Sequence, residues 1–326
     1  MAKVVLGFGS SHAPQLRIGH EHWPEMIQKD TKDPRFDYNA VLDRAKPNME
    51  EELTAEVMKL RDESNHRAMG VLREKLEAAA PDVIVIIGDD QHEQFFENNM
   101  PMFSVFHGDS LPIRERKRQP DSALAKAWTN TTWNNTATHA AEADHPTNVA
   151  FSEHIIHSLV EDGFDIAVSN EYREGTGVGH AFSFLYQFIM PELNIPVVPV
   201  SMNAFYPPNQ PTPRRAFQMG AAVRKAIDSW DSDKKVAVMA SGGLSHFIID
   251  EDLDRMALDA MARRDEEAIA ALPRERMMQL GTTETLNWLA VTGAMTDEKM
   301  TLVDYVPCYR TPAGTGCAMA FAYWES

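Results

Sequence analysis

The chemistry in this chain is concentrated in its histidines, because imidazole is both the commonest side-chain metal ligand and the usual acid or base near neutral pH. Four of the twelve stand in equivalent places, each beyond an apolar run that reads as a strand. Val-Val-Leu-Gly-Phe leads into Gly-Ser-Ser-His12, Val-Ile-Val-Ile-Ile into Gly-Asp-Asp-Gln-His92, and Val-Ala-Val-Met-Ala into Ser-Gly-Gly-Leu-Ser-His246. More loosely, Ile-Ala-Val-Ser is followed by a Gly-rich loop ending at His180. Open α/β sheets bind ligands outside the carboxyl ends of their strands, so histidines placed there converge on one pocket. His20, His22, His66, His107, His139, His145, His154 and His157 lack this placement and read as surface or structural residues. His154 and His157, three apart on a helix, are most simply a solvated face.

A metal site built on such histidines needs a carboxylate, and spacing leaves the choice open. Asp89, Asp90 and Glu93 flank His92, while Glu284 opens an apolar helix, where an acid also suits the helix dipole. Gly175-x-Gly177-x-Gly179 imitates a nucleotide loop but matches neither G-x-G-x-x-G nor a Walker A sequence. Ser245 beside His246 lacks the G-x-S-x-G elbow, and neighbours on a chain seldom face each other as nucleophile and base must. The 18 methionines read as adaptable core filler, and the runs Glu50–Glu52 and Asp250–Asp254 as solvated acids.

The elements that position these residues follow from the apolar patterning. Candidate strands are Val4–Phe8, Val83–Ile87, Phe103–Phe106, Ile166–Ser169, Val197–Met202, Val236–Ala240 and Leu302–Val306. Several are continuous apolar runs, as expected of strands covered on both faces. Candidate helices are Met49–Ala79, in one piece or two, Phe151–Val160, Arg214–Ser229, Asp252–Ala271 and Thr283–Thr292, with Thr282 or Thr283 as a cap for the last. Their alternation predicts an α/β layered domain with a sheet flanked by helices. Arg17 to Pro47 is irregular and is expected to cover a site or a subunit contact, and Tyr206–Pro213 is a loop rather than a linker. Neither separates two self-sufficient halves, so residues 1–326 are expected to form a single domain.

Composition sets the outer bounds. The 326 residues, 44% of them hydrophobic, suffice for a sizeable core. A formal charge of −17 argues against nucleic acid or anionic membrane as partner, since both need a basic face. The apolar start is too short for a signal sequence and no run approaches a membrane span, which predicts a cytoplasmic protein. Cys308 and Cys317 cannot make a disulfide framework or a Cys-rich zinc site. Asn130 and Asn134 match the glycosylation pattern, more simply a polar surface loop.

Five stretches in order along most of the chain resemble the class III, LigB-type extradiol ring-cleavage dioxygenases, the family of protocatechuate 4,5-dioxygenase β subunits and gallate-type dioxygenases. They are Ser10-Ser-His12-x-Pro; Pro81-Asp-Val-Ile-Val-Ile-Ile-Gly-Asp-Asp-Gln-His92 with Phe95; Tyr206-Pro-Pro; Gly242-Gly-Leu-Ser-His246; and Glu284-Thr-Leu-Asn-Trp-Leu with Gly293-Ala. The resemblance implies a LigB-like fold around a central mixed sheet and non-haem Fe(II) bound by His12, His92 and Glu284. Two histidines and one carboxylate on one face of the ion leave positions for substrate and O2. It implies His246 as catalytic acid/base and His180 as a second catalytic histidine at the substrate hydroxyl. Asn203 and Tyr206, past the Val197–Met202 run, are candidate substrate contacts, with packing and turn formation the alternatives. The implied activity is cleavage of a catechol-type ring, protocatechuate-, gallate- or dihydroxypyridine-like, with both atoms of O2 incorporated.

Two departures stand out. Relative to the Asn-Asp-His form of the β subunit, one extra residue lies between Asp90 and His92. The segment from about 17 to 79 is expanded and is expected to supply a cover that a helical partner gives the two-subunit enzymes. The other functions weighed are a zinc hydrolase on the same histidines, because ligand sets overlap between metals, and a non-catalytic binding protein on the same scaffold. A homodimer is expected because two-fold assemblies are the commonest.

Overall fold

A computed structural model describes residues 1–114 and 143–326, so His139 and the two glycosylation patterns lie outside the described residues. All seven apolar runs form strands. The described strands are β1 Lys3–Ser10, β2 Val83–Asp89, β3 Phe103–Phe106, β4 Ser110–Ile113, β5 Ala143–Pro146, β6 Ala167–Ser169, β7 Val197–Met202, β8 Lys235–Ser241, β9 Lys299–Tyr309 and β10 Gly316–Glu325. Eight make one mixed sheet in the order β6-β3-β7-β2-β8-β1-β10-β9, and β4 and β5 form a separate ribbon. The neighbours β7, β2, β8 and β1 run parallel, so their carboxyl ends share one edge. Ser10 is level with Ser241 there, and Asp89 with Met202. This edge gathers the loops that carry His12, Gln91, Asn203 and His246.

Alternate residues of the central strands feed two cores. Val83, Val85 and Ile87 point into one layer, Ile84 and Ile86 into the other. The second layer holds the apolar face of helix α1, Ala55–Ala79, through Met58, Met69, Leu72 and Leu76. The first layer holds α2 Val149–Glu161, α3 Pro213–Ser229, α4 Glu251–Ala262, α5 Glu266–Ala270 and α6 Thr285–Ala294. Every residue of α6 is buried, so it is a core helix rather than an amphipathic one. It packs backbone to backbone on α3. A Cβ at Gly220 would lie 1.6 Å from the Ala290 carbonyl oxygen, and one at Gly293 would lie 2.0 Å from that of Phe217. This close approach fixes the start of α6, and with it Glu284.

Two sequence-based expectations are corrected, and one strand was not foreseen. The helix expected over Asp252–Ala271 is two, because Arg264 adopts a left-handed conformation and Asp265 caps a new start by accepting the Ala268 N–H. Neither Thr282 nor Thr283 caps α6; both belong to a 3-10 turn ending at Glu284, and their hydroxyls carry no hydrogen bond among the described residues. Strand β10 escapes the pattern because it is rich in alanine, a poor strand former, and it forms where β1 and β9 pair on both its sides.

The irregular stretch after His12 is a string of short helical turns pinned to the sheet by a buried ion pair. Arg310 on the turn after β9 donates from Nε and Nη2 to Asp30 at 2.7 and 2.8 Å and from Nη1 to Gln15 at 3.1 Å. Thr315 adds a hydrogen bond to Asp30. Burial opposes the charge on Asp30, but the Arg310 guanidinium outweighs it and holds the carboxyl below its ordinary range. Such a group stabilises the fold above its unfolded pKa, near 4, and that stability is lost as pH falls through the lower folded value. Asp30→Ala strands a buried guanidinium and is expected to cost about 3–5 kcal/mol in denaturant unfolding at pH 7. The difference from wild type should shrink below about pH 4. No helix among the described residues is long and apolar enough to cross a membrane.

Candidate metal centre

One potential ligand atom from each of His12, His180 and Glu284 lies within 4.8 Å of the other two. The hydrogen bonds fix how each ring presents itself. Ser241 Oγ donates its only proton to the Ala181 carbonyl at 2.5 Å, so the 3.0 Å contact with His12 Nδ1 requires that nitrogen to be the donor. His12 Nε2 is then a lone-pair nitrogen. It is buried, has no hydrogen bond among the described residues, and lies 3.5 Å from Glu284 Oε2. Burial, abetted by His180 and His246, drags the His12 imidazole down to about 4 against the pull of Glu284, which keeps it neutral as a ligand must be.

His180 opens the short helix His180–Phe184 and is oriented by Glu93. Both Glu93 oxygens lie 3.0 Å from His180 Nδ1, and one also accepts the His180 backbone N–H. A carboxylate on Nδ1 is the usual support of a metal-ligating histidine, because it fixes the tautomer with Nε2 as the ligand atom. The rings of His12 and His180 meet edge to face, with centroids 4.6 Å apart.

Glu284 is fully buried. Its Oε2 accepts the Gly243 N–H at 2.7 Å and lies 2.9 Å from His246 Nε2, while its Oε1 accepts from the Gln91 amide at 3.2 Å. Burial alone would raise its pKa, but His246 and His12 outweigh that and hold the carboxyl well below its ordinary range. The same pairing pushes the His246 imidazole up to about 10 in spite of burial. Gly242 makes the approach possible: at φ +145°, a Cβ there would stand 2.9 Å from the Glu284 Cβ. His246 Nδ1 donates to the Leu244 carbonyl at 3.1 Å, leaving Nε2 aimed at Glu284. Buried Ser245 anchors the turn, since Asp254 accepts its hydroxyl and its N–H at 2.7 and 3.1 Å.

His92 lies outside this group. Beyond β2 the Asp90 carboxylate accepts the N–H groups of Glu93, Gln94 and Phe95, which curls the chain into a tight turn with His92 at φ +57°. The turn brings the amide of Gln91, an otherwise exposed residue, to 3.2 Å from both Asp89 Oδ2 and Glu284 Oε1. His92 turns to a different partner, half-buried and stacked 3.8 Å from the Tyr206 ring and 5.5 Å from Phe96, with its buried Nε2 3.6 Å from Glu97. The extra residue of this stretch is therefore Gln91, and its amide is the group that reaches Glu284. Asn203 spends its amide on the loop: Oδ1 accepts the Tyr206 N–H, and Nδ2 donates to the Tyr206 and Asn209 carbonyls. Sequence reasoning missed Gln91, Ser241 and Asn287, whose amide donates to Asp89 and to the Ser241 carbonyl. The register shift before His92 was the one signal that pointed at Gln91.

Comparison with known proteins fits this geometry. The family described as the catalytic LigB subunit of aromatic ring-opening dioxygenase matches residues 40–319. A gallate dioxygenase of Pseudomonas putida is 28% identical over 161 residues, 45% of this chain and 46% of that enzyme. A 2,3-dihydroxyphenylpropionate/2,3-dihydroxicinnamic acid 1,2-dioxygenase of Escherichia coli is 28% identical over 177 residues, 53% of this chain and 46% of that enzyme. The chain thus aligns with under half the length of these curated relatives. A crystal structure of an uncharacterized Escherichia coli K12 protein superposes with a TM-score of 0.50 at 12% identity, covering 98% of this chain and 99% of that one, a likeness of fold.

Proposed function

This chain belongs to the LigB family of catalytic subunits of aromatic ring-opening dioxygenases, and from that premise we propose that it cleaves the ring of a catechol-type substrate with O2, using Fe(II) held by His12, His180 and Glu284. The observation that carries the reading is the buried Nε2 of His12, without a hydrogen bond among the described residues and turned toward a buried carboxylate and a carboxylate-supported imidazole. A lone pair so placed is costly unless a cation or proton answers it. Two imidazoles and one carboxylate suit non-haem Fe(II). When bound, the ion would supply Lewis acidity toward the adjacent ring hydroxyls and a redox partner between the electron-rich ring and O2.

The chain's own residues supply the rest. Glu284 would offset one of the ion's two positive charges from a buried position, with His12 2% and Glu284 0% exposed. His246 handles protons at Nε2, since Nδ1 is committed to Leu244; that role is worth about 10²–10⁴ in rate. Glu93 and Ser241 hold His180 and His12 in their ligating tautomers. Protocatechuate-, gallate- and dihydroxypyridine-like rings all offer the chelating edge this site requires.

Anaerobic reconstitution with Fe(II), followed by O2 uptake with a panel of aromatic diols, tests the proposal. One O2 consumed per ring and a yellow ring-opened product are expected, with no turnover in the zinc-loaded protein. Absence of O2 uptake across the panel from fully loaded protein would contradict it. The ligand set has its own test: His180→Ala is expected to weaken Fe(II) binding at least about 100-fold, the upper effect of losing a mere supporting group. His92→Ala should leave metal content near that of wild type. The reverse pattern by metal analysis would restore His92 to the set.

A further inference from the structure

The stretch after His12 brings a cation against the residue that follows His246. The Arg35 guanidinium lies flat over the Phe247 ring, 3.5 Å from its centroid. Phe247 directly follows His246, and both rings meet Phe205, at 6.3 and 6.4 Å. Tyr206 adjoins Phe205, and burial pushes its phenol up to about 12 while the positive charge of Arg35 pulls the other way, so that charge is felt there. Arg35 is thus placed over an aromatic wall that begins at the acid/base histidine.

The guanidinium is held from behind. Asp33, nearly fully buried, accepts from Arg35 Nε at 2.7 Å, from Nη2, and from the Arg35 backbone N–H at 3.1 Å. The pairing occupies one edge of the fork. Among the described residues Nη1 makes no hydrogen bond, and the side chain is 43% exposed. A planar fork, locked on one edge by a buried acid and on one face by an aromatic ring, presents its other edge as a ready receptor for a second carboxylate.

We propose that Arg35 is a specificity-determining residue that binds a carboxylate carried by the aromatic diol, with Phe247 and Phe205 against the ring. The inference rests on the ring-cleaving function proposed above and narrows its substrate class to anionic catechols. Arg35 takes no part in the chemical step, and its contribution is recognition.

The test compares wild type, Arg35→Gln and Arg35→Lys as full chains loaded with Fe(II), with protocatechuate and uncharged 4-methylcatechol as substrates. Arg35→Gln is expected to raise KM for protocatechuate about 10- to 100-fold, the effect of one charge-assisted hydrogen-bonded pair. The values for 4-methylcatechol should stay within about twofold, and Arg35→Lys should recover part of the loss because it keeps the charge but not the fork. Equal losses on both substrates, with a lowered unfolding midpoint, would make Arg35 a structural pin and overturn the proposal, as would unchanged KM values. Calorimetric binding of unreactive 4-hydroxybenzoate to the same proteins reads recognition without turnover. If no diol is cleaved, the ring-cleavage reading fails, whereas weaker 4-hydroxybenzoate binding to Arg35→Gln would still uphold the carboxylate site. Equal binding to wild type and Arg35→Gln would end it.

Discussion

Replacing Glu284 by glutamine is expected to empty the metal centre. Glutamine keeps the volume and leaves an oxygen to accept the Gly243 N–H, so the turn that carries His246 retains its anchor. What disappears is the only negative charge among the three grouped side chains. Supporting residues that merely orient a ligand cost 10- to 100-fold in metal affinity when removed, and losing an anionic ligand should cost at least about 100-fold. Metal content after gel filtration should fall from near one equivalent to near zero, and turnover with it. Glu284→Ala should do the same with a further loss of stability, because it leaves the Gly243 N–H and the Gln91 amide without their acceptor. Full metal content in Glu284→Gln would remove Glu284 from the centre.

The second large effect separates proton transfer from metal binding. His246→Phe is expected to keep the ion, because His12, His180 and Glu284 are untouched, while turnover falls about 10²- to 10⁴-fold. Phenylalanine fills the imidazole's space beside Phe205 but sets an apolar ring against the Glu284 carboxylate. His246→Gln, which keeps a polar head there, serves as the control for disturbed packing. Both variants should show wild-type metal stoichiometry and slow turnover. Loss of metal from both would make His246 a ligand; normal turnover in either would take the proton-transfer role away from it.

The sheet and the placement of the site at its carboxyl edge were legible in the sequence, because strands buried on both faces are written as unbroken apolar runs. His12 and His246 follow such runs closely, and their positions could be read directly. His92 illustrates the limit. Asp90 closes a turn that moves the chain by one residue, so Gln91 faces Glu284 and His92 faces Tyr206. A one-residue shift in a turn changes which side chain meets Glu284 and leaves no trace in composition. The supports of the site were equally hidden: Ser241 reaches His12 across 229 residues of sequence, Glu93 reaches His180 across 87, and Asp30 reaches Arg310 across 280. Such pairs exist only once the sheet has brought their loops together. The choice among Asp89, Asp90, Glu93 and Glu284 was open for the same reason, and packing gives each a distinct place. Asp90 shapes the turn, Glu93 supports His180, and Asp89 is held by Gln91 and Asn287. Glu284 alone of the four joins the grouped ligand atoms.

The most direct measurement is anomalous diffraction at the iron edge from crystals loaded with Fe(II) under anaerobic conditions. One peak is predicted, within bonding distance of His12 Nε2, His180 Nε2 and Glu284. A loaded crystal with no peak among these three side chains, or with its iron on His92 instead, would contradict the account.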